Sequence, residues 1–128
     1  MAFPLDTNYL VLKGYLEVVA SYKKDHTDKE AQTKLRALAQ GAPADIQIAG
    51  LGQTLAFWHA KHEEHHKTLF DAVSKWVKEQ IKWKDDLNLL LWITEMAETN
   101  DYRRATAEAL AYLKWVKYFA EGELEKSK

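Results

Sequence analysis

The sequence predicts an all-α fold, an irregular bundle of about six helices in a single domain over residues 1–128. Three observations lead there. Between Gln53 and Glu121 there is neither proline nor glycine, and so long a stretch without a breaker favours helix over strand. Apolar residues recur three and four positions apart along most of the chain, the repeat of a helix face turned to a core. Core material is ample: of 128 residues 47% are hydrophobic and 12% aromatic, so the chain can fold without staples.

Taken in order, Val11, Tyr15, Val18 and Tyr22 form the first stripe, with Lys13, Glu17 and Lys24 opposite and Asp6 or Thr7 as the cap. A second helix begins near Thr27 or Asp28 and turns Ala31, Leu35 and Leu38 inward. It is expected to stop at Gln40-Gly41, where glycine supplies a left-handed cap. Pro43 suits the first turn of a short third segment. Gly50 and Gly52 break that segment before a helix bearing Leu55 and Trp58. A helix over 68–83 carries Leu69, Val73, Trp76 and Gln80 on one stripe, with Val77 and Ile81 beside it. Asp85 caps the next, over 86–98, which is apolar nearly all round through Leu87, Leu89, Leu90, Leu91, Trp92, Ile93 and Met96. Such a helix is expected to be buried on every side, at the centre of the bundle or at a protein interface. The last helix, over 101–121, has the inner stripe Ala105, Ala109, Tyr112, Val116 and Phe119.

Composition narrows the function classes. Cysteine is absent, which excludes disulfides and thiolate chemistry and fits a reducing cytoplasm, the location expected. Lys and Arg number 18 against 19 Asp and Glu, a net charge of -1. That is not the basic excess usual in a nucleic-acid binder, although charges can still segregate to one face. No apolar run approaches the ~18 residues of a membrane span, so no membrane partner is expected. Residues Met1 to Asp6 lack the charged-then-apolar pattern of a signal peptide. There is no G-x-S-x-G, no glycine-rich phosphate loop and no cysteine nucleophile. No catalytic residue and no cofactor is therefore assigned.

One motif has two readings. Four histidines crowd into the run from His59 to His66, and His62 to His66 match H-E-x-x-H. In a zinc hydrolase two such histidines, one turn apart on a helix, hold the metal while the glutamate polarises its water. Here His59, His62 and His66 would share a helix face. The competing reading is a polar, solvent-facing helix end. Lys61 and Lys67 flank the motif, Glu64 and His65 fill its variable positions, and no third ligand follows. The polar helix end is the preferred reading, with no assigned metal. Glu63 and His66 also form an E-x-x-H, but di-iron bundles need two of these on different helices.

Two groups of basic residues are candidate phosphate contacts. Lys75, Lys78 and Lys82 fall three and four apart on one outer helix face, a ladder able to track a phosphate backbone. Arg103 and Arg104 fall in the expected first turn of the last helix. There, free N–H groups and two guanidinium forks would make an anion site. The alternative for the arginines is ion pairing with Glu98, Asp101 or Glu108, and one of the two is expected to be structural. Lys34, Arg36, Lys114 and Lys117 read as ordinary surface cations. Trp58, Trp76 and Trp92 sit on apolar stripes and read as core or interface anchors rather than base-stacking platforms.

Two stretches carry a family resemblance. One is Gly50-Leu51-Gly52-Gln53-Thr54-Leu55-Ala56-Phe57. The other runs from Tyr102-Arg103-Arg104-Ala105-Thr106-Ala107-Glu108-Ala109-Leu110 through Trp115, Lys117, Phe119-Ala120-Glu121 and Leu124. Together, in this order and separation, they resemble the small subunit of the type III-B CRISPR Cmr effector complex, the fifth Cmr protein family. The histidine cluster lies outside the resemblance. The resemblance implies a non-catalytic helical subunit of an RNA-guided, RNA-targeting antiviral complex. It would pack as neighbouring copies beside the Cmr backbone subunits and help line the groove that holds guide RNA and target RNA. It places Arg103 and Arg104 toward RNA or a neighbouring subunit, whereas Lys75, Lys78 and Lys82 rest on spacing alone. The two competing functions are the H-E-x-x-H hydrolase and a helical adaptor that binds proteins only.

Overall fold

A computed structural model describes residues 17–126. Among these there are six helical segments and no strand, the all-α bundle expected. They are α1 (17–25), α2 (Lys29–Ala49), α3 (Leu51–Lys61), α4 (Glu64–Ile81), α5 (Leu89–Glu95) and α6 (Thr99–Glu123). The expected caps Asp6 and Thr7, with Val11, Lys13 and Tyr15, lie outside the described residues. In α1, Val19 and Tyr22 are buried and Val18 is half-buried.

Helix α2 is the first correction. Its N-cap is Asp28, one of the two starting positions expected, whose carboxylate accepts from the Ala31 N–H at 3.0 Å. It does not stop at Gly41. It continues through Gly41 and Pro43 for 21 residues. Leu35, Ala39, Ala42 and Ile46 are all buried at spacings of four, three and four, one unbroken stripe across the expected stop. Burying that stripe outweighs the backbone hydrogen bond that Pro43 cannot donate. The chain breaks at Gly50 instead, with φ 93° and ψ 156°, a conformation open essentially to glycine alone.

Helices α2 and α6 pack on each other and α4 closes the bundle against both. Both α2 and α6 bury alanines completely (Ala39, Ala42, Ala105, Ala109, Ala120), and small contact residues let helix axes approach closely. In α6 the expected stripe is buried, joined by Leu113 and Ala120, while Phe119 is only half-buried.

Helix α5 is the second correction. It is 7 residues long, shorter than the helix over 86–98 expected, and it is not central: it packs only against α3 and α4 among the element pairs in substantial contact. Leu89 and Trp92 are buried, but Leu91 and Met96 are exposed. The cause lies in the connection before it. Trp83 stacks on Trp92 with ring centroids 4.4 Å apart, and its indole N–H donates to the Leu87 carbonyl at 2.9 Å. These contacts hold the linker out of helical geometry. Asn88, not Asp85, then caps α5 by accepting from the Leu91 N–H at 2.9 Å.

Candidate nucleic-acid interface

The lysine ladder does not survive folding intact. Helix α4 ends at Ile81, and Lys82 is its C-cap in left-handed geometry, φ 68°. Lys82 is therefore off the helical face that its spacing assumed, although it stays exposed. Lys78 is half-buried and lies along the linker. Its ammonium donates to the Asp85 carbonyl at 2.7 Å and sits 5.8 Å from the Trp83 ring centre. Lys75 is exposed, but it lines a cavity of about 640 Å³ between α1, α4 and α6. Glu17, Asp25, Glu64, Asp71 and Glu79 line the same cavity. That groove is acidic and repels phosphate.

The arginines are also repositioned. Helix α6 begins at Thr99, two residues earlier than expected, which moves Arg103 and Arg104 into its second turn. The N-terminus carries a capping box of Glu98 and Asp101, with the Asp101 carboxylate accepting from the Glu98 N–H at 3.3 Å. Two carboxylates occupy the place where an anion was expected to bind, so the free-N–H anion site is not formed.

The two guanidinium groups then divide. Arg104 donates to the Gln80 carbonyl at 3.1 Å, one of the last carbonyls of α4 that has no partner within the helix. It ties α6 to the end of α4. Arg103 is exposed and makes no hydrogen bond or ion pair with a described residue. The expected ion pairs with Glu98, Asp101 and Glu108 do not form among the described residues. Arg36, read as a surface cation, is half-buried and donates to the Glu121 carbonyl at 3.2 Å near the end of α6.

The H-E-x-x-H motif is divided by the helix break. His62 is the left-handed C-cap of α3, φ 56°, and Glu63 is the extended N-cap of α4. His62 and His66 thus do not lie one turn apart on one helix, the geometry a zinc hydrolase needs. His59, His62, Glu63 and Glu64 are exposed, as a polar helix end requires. His65 and His66 are not; both are buried in the first turn of α4. Burial pushes both imidazoles below the usual histidine range, with a further contribution to His65 from its neighbour His66.

Sequence reasoning missed Gln32. It is buried, donates to the His26 carbonyl at 2.9 Å and accepts from the Glu125 N–H at 3.2 Å. A lone glutamine in an amphipathic helix carries no pattern that announces such a role. The tryptophans are structural as expected: Trp58 and Trp92 are buried, and Trp76 stacks on Tyr112 with centroids 5.3 Å apart. No helix among the described residues is long and apolar enough to cross a membrane.

Residues 11–123 match the family described as CRISPR-associated protein (Cas_Cmr5). A relative from Thermus thermophilus, named CRISPR system Cmr subunit Cmr5, is 33% identical over 96 residues, 75% of this chain and 80% of the relative. The crystal structure of a CRISPR-associated Cmr5 family protein from the same organism superposes with a TM-score of 0.73 at 28% identity. The match covers 94% of this chain and 99% of that one.

Proposed function

We propose, from the premise that this chain belongs to the CRISPR-associated Cmr5 family, that it is a non-catalytic small subunit of a type III-B Cmr effector complex in the cytoplasm. It packs beside the larger backbone subunits and further copies of itself, and it helps hold guide RNA and target RNA. The observation that carries the RNA role is the state of Arg103. It lies in the block of α6 that bears the family resemblance, it is exposed, and no described residue engages it. A guanidinium in that state can form a paired hydrogen bond to a phosphate without breaking an internal contact. Arg104 and Lys78 are already engaged to backbone carbonyls, so they contribute chiefly to the fold.

Arg103→Glu in a complex reconstituted with guide RNA tests this. Retention of target RNA should fall, and the slope of log affinity against log salt should drop by about 1. The isolated variant should unfold at the same temperature as the parent. RNA affinity and salt slope both unchanged would remove Arg103 from the interface.

A second reading, an adaptor that contacts proteins alone, draws on the exposed apolar side chains Ile48, Phe57, Leu91 and Met96. It expects incorporation into the complex to resist both salt and nuclease.

A further inference from the structure

We infer that Glu63, His65 and His66 form a binding site for a divalent transition-metal ion of the zinc class at the start of α4. These are not the two histidines of the H-E-x-x-H pattern. The helix break that separates His62 from His66 draws a different trio together.

The geometry is specific. One ligand atom from each of the three side chains lies within 4.8 Å of the other two. In a tetrahedral zinc site, bonds of about 2.0–2.2 Å put the ligand atoms about 3.3 Å apart. Small side-chain rotations close that difference. His65 and His66 are the second and third residues of α4, with ring centroids 4.2 Å apart. Glu63 is the N-cap, yet its side chain makes no capping hydrogen bond, so its carboxylate is free to turn toward the rings.

An independent observation points to a ligand. His66 retains only 8% of its exposure, and its Nδ1 is buried with no hydrogen-bond partner among the described residues. Buried polar atoms are nearly always satisfied, and an unsatisfied one in a native protein calls for an unseen partner. A metal ion supplies one. Two imidazole nitrogens and a carboxylate oxygen are the donor set of zinc-class ions rather than of calcium or magnesium. Burial lowers the proton affinity of both imidazoles, which lessens the proton competition that weakens metal binding, although the same burial also disfavours an unligated cation.

A cavity of about 260 Å³ reaches two of the three ligands, Glu63 and His65, but not His66, and is lined also by Tyr22, Asp28, Glu30 and Lys34. Lys34 opposes a cation there, but Glu30 pairs with its ammonium at 3.4 Å and offsets part of that charge. The positive end of the α4 dipole also opposes a cation, weakly compared with three metal–ligand bonds. A fourth position is left for water, and the ion would pin the α3–α4 break to the first turn of α4.

The test is zinc titration of tag-free protein stripped with chelator, read by calorimetry and elemental analysis, with the visible spectrum of the Co²⁺ form. One equivalent should bind. Glu63→Gln, at an exposed position that leaves the fold intact, should weaken binding at least tenfold. The double variant His59→Gln/His62→Gln should stay within twofold of the parent, because those exposed rings are not ligands. No stoichiometric binding overturns the site. So does binding untouched by Glu63→Gln, or binding abolished by the His59/His62 pair, since either marks an adventitious ion only.

Discussion

The hydroxyl of Tyr102 accepts a hydrogen bond at 3.1 Å from the backbone N–H of Gly52, joining the two stretches that carry the family resemblance. Gly52 is the second residue of α3, where N–H groups have no partner within the helix. The N-cap, Gly50, has no side chain to satisfy them. Tyr102 does so from α6, fifty residues away. Gly50, Gly52 and Tyr102 therefore have a structural role within these blocks: a glycine corner and the tyrosine that closes it.

Two substitutions test that corner. Tyr102→Phe should cost about 1 kcal/mol, the ordinary net value of one hydrogen bond. Gly50→Ala should cost more, about 1–3 kcal/mol, because φ 93° is closed to alanine and its Cβ would lie 3.4 Å from the Tyr102 hydroxyl. Denaturant unfolding of each variant measures both. Equal, negligible losses would mean that the corner relaxes freely.

Gln32 joins the end of α1 to the segment after α6. Gln32→Leu keeps the volume but leaves the His26 carbonyl and the Glu125 N–H without their partner. The expected loss is about 1–3 kcal/mol. Amide exchange at Glu125 should quicken in this variant, which a loss of packing alone would not predict.

His65 and His66 make the metal-free protein sensitive to mild acid. Their folded pKa values lie below the unfolded value because burial disfavours the charged rings. Above the ordinary histidine pKa, about 6.5, both states are neutral and stability is complete. As pH falls below that point, the unfolded chain binds protons that the folded chain resists, so stability declines until the folded rings also titrate. Urea midpoints in the presence of chelator should fall between pH 7.5 and pH 5.5. The fall should shrink in His65→Gln. An identical decline in that variant would assign the effect to other groups.

Local pattern alone determined the helical class, the start of α2 to within Thr27 or Asp28, the inner face of α6 and the burial of Trp58 and Trp92. Those follow from the helix period and from side-chain chemistry within one turn, which adjacent residues settle. Tertiary structure decided where helices stop. Gly41 and Pro43 look like a stop, yet α2 runs through them because the buried stripe from Leu35 to Ile46 continues across. His62 and Lys82 do not look like stops, yet both adopt left-handed geometry as the chain turns between packed helices. The candidate sites moved with those boundaries. A break at His62 dissolves one metal motif and assembles Glu63, His65 and His66. An earlier start for α6 hands its N-terminus to Glu98 and Asp101, ties Arg104 to the Gln80 carbonyl and leaves Arg103 without a partner among the described residues. Burial of apolar stripes outweighs local breaker propensities when many contacts share the gain, and that sum belongs to the folded chain rather than to any window of it.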